Sequence, residues 1–226
     1  MRILSEIPVR LDAGRVLERI NIRSKRPDML NSIRELIAVV LPVASPKVVY
    51  QVAYVDNRTE DSLEVDGVRF TSRVLRDSLD KVGRVFPFVA TCGRELDEID
   101  VPAGDLIRCY YLDQIKEMVL EIAVRYLEEH LISRYEPGPI SEIEPGSVES
   151  WPITQQKELF SILGNVEEAI GVRLTDQFLM VPLKSISGIY FPAETRFESC
   201  RLCSRERCTG RKAPHDDDLA GKYTAY

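Results

Sequence analysis

The sequence predicts an α+β fold, and three observations carry that prediction. Runs rich in β-branched and aromatic residues occupy positions 48–55, 85–91 and 178–191, as strands require. One long stretch, from Leu106 to about Ile132, repeats apolar residues at helical intervals. Shorter helical patterns flank the strands.

Taken in order, positions 11–20 read as a first helix. Pro27 opens a second, in which Leu30, Ile33, Leu36 and Ile37 recur at helical spacing until Pro42 and Pro46 end it. Positions 48–55 form one strand, and 63–70 a shorter one broken at Gly67. A helix over 72–82 places Val74, Leu75, Leu79 and Val82 on one side. The apolar strand 85–91 runs into Cys92-Gly93. In the long helix, Ile107, Tyr111, Ile115, Met118, Val119, Ile122 and Tyr126 form the apolar arc. Asp105 is placed to cap its start, and Pro137-Gly138-Pro139 forbids continuation. Asp113, Glu117, Glu121 and Glu128 fall in one opposite stripe, which reads as a solvated face. Positions 137–152 read as a long loop, 154–163 as a helix, and 178–191 as two strands around a turn. Trp151 is expected to anchor the loop or core, and Cys92 and Cys109 to be buried structural thiols.

The chain has 226 residues, 44% hydrophobic and 29% charged, with a formal net charge of −6. That charge gives no overall attraction to nucleic acid or anionic membranes. No apolar run approaches the ~18 residues of a membrane span, and Glu6 and Pro8 stand where a secretory signal needs an apolar core. The expected compartment is therefore the cytoplasm, where the five cysteines stay reduced.

Three of those five lie within nine residues: Cys200-x2-Cys203-x4-Cys208. Two thiolates separated by two residues can turn toward one ion, and a third closes much of a shell. Zinc would take the three with His215. An iron–sulfur centre would take them with a fourth ligand such as Cys92 or Cys109, or leave one iron open. The plain alternative is three free thiols. The division expected is a body over 1–198 and a cysteine-containing, metal-binding tail over 199–226. No catalytic residue is singled out: His130 and His215 are the only histidines, and neither a nucleophile elbow nor a glycine-rich phosphate loop is present.

Several blocks, in order, carry a resemblance. Trp151-Pro152-Ile153-Thr154-Gln155-Gln156-Lys157-Glu158-Leu159-Phe160 is followed by Ile170-Gly171-Val172-Arg173-Leu174-Thr175-Asp176. Met180-Val181-Pro182 and then Lys184-Ser185-Ile186-Ser187-Gly188-Ile189-Tyr190-Phe191 complete the series. This series resembles the activation domain of cobalamin-dependent methionine synthase, most closely over 137–198, and the length and tail resemble its stand-alone relatives. The resemblance implies a twisted, mainly antiparallel sheet packed with helices. It implies reductive reactivation of a corrinoid-dependent methyltransferase such as methionine synthase. In that family the domain covers the cobalamin module while an electron arrives and S-adenosylmethionine remethylates the cobalt. The expected partner is a cobalamin-binding methyltransferase or corrinoid protein, and the expected electron donor a ferredoxin or flavodoxin. Tyr190 and Phe197 are the positions carried over for cofactor binding. The family's groove uses an Arg before Pro-Gly-Tyr, where this chain has Ser141-Glu142-Ile143-Glu144-Pro145-Gly146-Ser147. An acidic pair there attracts a sulfonium but offers no donor to a carboxylate, which leaves S-adenosylmethionine binding open. The cysteine tail points to electron delivery through an iron–sulfur centre, since such centres reach strongly negative potentials. The alternative is a non-catalytic, zinc-stabilised docking module for a cobalamin-binding partner.

Overall fold

The computed structural model describes residues 1–20, 27–102, 104–194, 197–208 and 211–224. The central strand is β6 (Arg84–Thr91), and on one side it pairs antiparallel with β2 (Lys47–Tyr50) and β3 (Ala53–Arg58). These two keep a single register along it: Lys47 opposes Thr91, Tyr50 opposes Phe88 and Ala53 opposes Val85. The one strand expected over 48–55 is thus two, interrupted opposite Pro87. That residue has no N–H to give to the ladder, and its carbonyl still accepts from Gln51 N at 3.0 Å.

Beyond the interruption the halves diverge. β2 carries β1 (Arg2–Leu4), and β3 carries the hairpin of β4 (Ser62–Val65) and β5 (Val68–Thr71). The hairpin turns at Asp66-Gly67, both at positive φ (48° and 76°), the conformation a two-residue turn needs. On its other side β6 pairs with β10 (Ser185–Pro192), which pairs in turn with β7 (Ile140–Ile143). Among the described residues every strand pairing is antiparallel.

Helices cover both faces. Phe86, Phe88 and Ala90 of β6 and Tyr190 of β10 point into a core shared with α1 (Ala13–Ile20), α2 (Pro27–Val40) and α4 (Leu106–Tyr135). Val85, Ile189 and Phe191 point the other way, toward α3 (Arg73–Ser78), α5 (Gln156–Leu163) and Trp151. Val49 and Val89 lie against Leu163 of α5 and against α6 (Val166–Ile170). Helix α4 starts as its sequence says, Asp105 accepting from Arg108 N at 3.0 Å, and ends with Glu136 in the left-handed region before Pro137.

Four further expectations need correction. The expected loop 137–152 contains β7. The strands expected around a turn at 178–191 do not pair with each other: β9 (Met180–Val181) pairs with β8 (Arg173–Leu174). Cys109 is exposed on the first turn of α4, while Cys92 is buried as expected. The acidic stripe of α4 is less free than a plain solvated face, since Lys184 lies 3.1 Å from Asp113 and 2.9 Å from Glu117, and Arg19 lies 2.7 Å from Glu121. The α+β expectation itself holds, and no described helix is long and apolar enough to cross a membrane.

Candidate functional site at the β7 edge and the cysteine tail

The Ser-Ile-Ser-Gly-Ile-Tyr-Phe block is β10, and the structure gives its glycine a reason. A Cβ on Gly188 would stand 2.8 Å from the Ile143 carbonyl, 3.0 Å from Phe88 and 3.2 Å from the Glu144 side chain. The missing side chain therefore lets the end of β7 close over β10. Tyr190, opposite Glu142, stacks on Phe88 with ring centroids 4.9 Å apart. It is buried, and burial first, then the Glu142 carboxylate beside it, pushes its phenol pKa up.

Glu144 continues the same face of β7. Burial, and after it the charge of Glu142, raises its pKa from an ordinary 4.5 to about 7, against the opposing charge of Lys212. Lys212 comes from the tail and places Nζ 3.7 Å from Glu142. Its backbone N–H donates to Cys200 Sγ at 3.3 Å. One residue thus joins the first cysteine to the acidic strand.

The tail is folded back on the body. Leu202 and Tyr223 pack against the core formed by Trp151, Phe70 and Phe191. Its last helix, α7 (Asp217–Thr224), is held through Asp77, which accepts from Lys222 Nζ at 3.0 Å, Tyr223 OH at 3.2 Å and Arg76 Nη1 at 3.1 Å. Between α7 and the body lies a cavity of about 820 Å³, whose walls include Phe191, Phe197, Arg201, Lys222 and Tyr223. Phe197 is fixed by its N–H donating to Ser141 Oγ at 2.6 Å. The two positions carried over for cofactor binding are therefore separated: Phe197 lines this cavity, and Tyr190 sits within the core on the other face of β10.

The three tail cysteines share one loop. Cys200 and Cys203 are half-buried and Cys208 is exposed, a donor chemistry that suits a thiophilic metal. Among the described residues, no three His, Cys, Asp or Glu side chains are close enough together to hold a metal ion. Of the further ligands considered, His215 faces Asp217 at 3.2 Å. Cys92 lies in the core, where burial and then the Asp97 charge push its thiol up to about 12, far from a thiolate.

Sequence reading singled out the acidic pair that contains Glu144, but missed the burial of Glu144, the approach of Lys212 and the cavity. The spacing of that pair, two carboxylates two residues apart, already places both on one face of a strand.

Residues 145–209 match the family described as "Vitamin B12 dependent methionine synthase, activation domain". No curated protein matches the chain. Among solved structures, the crystal structure of the MetH reactivation domain bound to AdoHcy is similar, with a TM-score of 0.60 and 15% identity, over 87% of this chain and 79% of that one. The chain therefore has the fold of the MetH reactivation domain and, across 145–209, the sequence signature of the vitamin B12 dependent methionine synthase activation domain.

Proposed function

We propose that this chain reactivates a cobalamin-dependent methyltransferase by docking on its corrinoid-binding module, with the cysteine tail delivering the electron. The observation that carries the reading is the placement of the tail. It is seated against β7 and beside β10, the strand built from the family's most specific block, through Lys212, Leu202 and α7. Cys200, Cys203 and Cys208 would hold an iron–sulfur centre, which supplies one-electron chemistry at low potential. A reduced ferredoxin or flavodoxin would feed it, in a cytoplasmic setting that keeps the thiols reduced.

In this reading the chain's own residues position and shield rather than act as acid, base or nucleophile. Glu142 presents negative charge at the β7 edge, shared with Lys212, and a Glu144 that ionises only near pH 7 lies beside it; a cationic methyl donor such as S-adenosylmethionine would favour that ionisation. The cavity at Phe197 is of a size that takes a small ligand. Phe197 then offers an aromatic wall to that ligand, and Tyr190, on the other face of β10, takes no part in it. The test is purification without oxygen followed by iron, sulfide and zinc analysis. The reading expects a brown protein with comparable iron and sulfide; a colourless protein with stoichiometric zinc would remove the electron-delivery role.

One observation favours a second reading, a zinc-stabilised docking module. The tail is already ordered by protein contacts, Lys222 and Tyr223 on Asp77 and Lys212 beside Glu142, so its place on the body requires no redox centre. In that case Cys203→Ser weakens partner binding and leaves every redox step unchanged.

A further inference from the structure

The cysteine loop carries an internal cation of its own. Arg211 turns its guanidinium back into the loop and donates to the carbonyls of Cys200 (2.9 Å), Ala213 (3.3 Å) and Cys203 (3.3 Å), and also to that of Arg205. Four carbonyls from a fourteen-residue segment thus converge on one forked donor, the arrangement for which Arg, with five N–H groups in a plane, is suited. The neck of the loop is closed separately. Asp216 N donates to the Arg201 carbonyl at 2.9 Å, and the Arg201 guanidinium reaches the Asp216 carboxylate at 2.5 Å. Arg201 is also a wall of the cavity under α7, so loop, neck and cavity lid are one connected segment.

We propose that Arg211 is the positioning residue of the cysteine loop: its guanidinium holds the backbone of Cys200 and Cys203 in their turn before any metal arrives. The loop is then prefolded rather than folded by its ligand, unlike small metal domains that are unfolded when empty. Two consequences follow. Cys200 is held with its Sγ accepting the Lys212 N–H, so its sulfur is shielded on one side. Removal of any bound metal leaves α7 seated over the cavity. The inference does not rest on reactivation being the chain's role, nor on which metal is taken.

The test compares the reduced, metal-free full-length chain with Arg211→Gln and Arg211→Lys. Site-resolved alkylation by iodoacetamide, read by mass spectrometry, gives the rates at Cys200 and Cys203, with exposed Cys109 as internal reference. Both variants are expected to react about tenfold faster at Cys200 and Cys203, because loss of the fork raises the population of the open loop. Thermal unfolding of the body should stay unchanged, which separates an opened loop from a misfolded chain. Rates within about twofold of the parent in both variants would overturn the proposal, as would full rescue by Lys, since a point charge would then suffice.

Discussion

Gly188→Ala tests how tightly the signature strand is packed. The added methyl would meet the Ile143 carbonyl at 2.8 Å, Phe88 at 3.0 Å and the Glu144 side chain at 3.2 Å. The nearest of these is backbone on the paired strand β7, held by register from Ile189–Ile143 to Pro192–Ile140. It cannot swing aside as the end of a side chain would, so the strands must separate by several tenths of an ångström. Forcing one methyl group into a filled core costs about 1–3 kcal/mol. For a chain of this size, ~2 kcal/mol lowers Tm by about 4–8 °C. Gly83→Ala is the matched control, because a Cβ there meets nothing within 4 Å and the residue is not at positive φ. It should leave Tm unchanged or raise it slightly. The assay is differential scanning calorimetry of the two variants and the parent. A Gly188→Ala protein that melts within about 1 °C of the parent would refute the argument from close approach.

Two other perturbations have determined signs. The folded chain keeps the Glu144 proton up to about pH 7, whereas the unfolded chain releases it near 4.5. The stability this carboxyl allows is therefore full below its ordinary pKa and falls as pH rises through 7, by up to ~3 kcal/mol. Urea unfolding at pH 5 and pH 8 should show that fall in the parent, and a flatter dependence in Glu144→Gln. Asp77→Ala removes the acceptor that Lys222, Tyr223 and Arg76 share. These groups are partly exposed, so the loss is about 1 kcal/mol, and amide exchange in α7 should quicken roughly fivefold while the sheet stays protected; unchanged exchange would mean the helix is held by packing alone.

The elements written plainly in the sequence were those whose burial pattern is one-sided or strongly periodic. Helix α4 was legible because its apolar arc, Asp105 and Pro137 agree on its extent, although Ile107 of that arc is exposed, and strand β6 because seven of its eight residues are buried. Strand β7 was not. It is four residues long, sits among Pro and Gly, and turns Glu142 toward the same face as Ile140, where charge is not expected. Its place is set by β10, whose paired residues lie far along the chain, from Ile143–Ile189 to Ile140–Pro192, which no local pattern contains. Cys109 shows the same limit: at the edge of a helical arc, exposure depends on what the neighbouring segments cover. The tail was read only as a metal-binding segment, yet Leu202 and Tyr223 find a place against the core, because a short segment needs only one or two anchors when the receiving surface is already built.

The claim on which the functional account turns is that this chain restores an oxidised corrinoid partner. The direct measurement is the visible spectrum of a cob(II)alamin-loaded methyltransferase incubated without oxygen with reductant and S-adenosylmethionine, with and without the chain. The account predicts that the cob(II)alamin band decays to the methylated form only when the chain is present, and that Cys203→Ser slows the decay. Decay at the same rate without the chain, or no decay with it, would contradict the account.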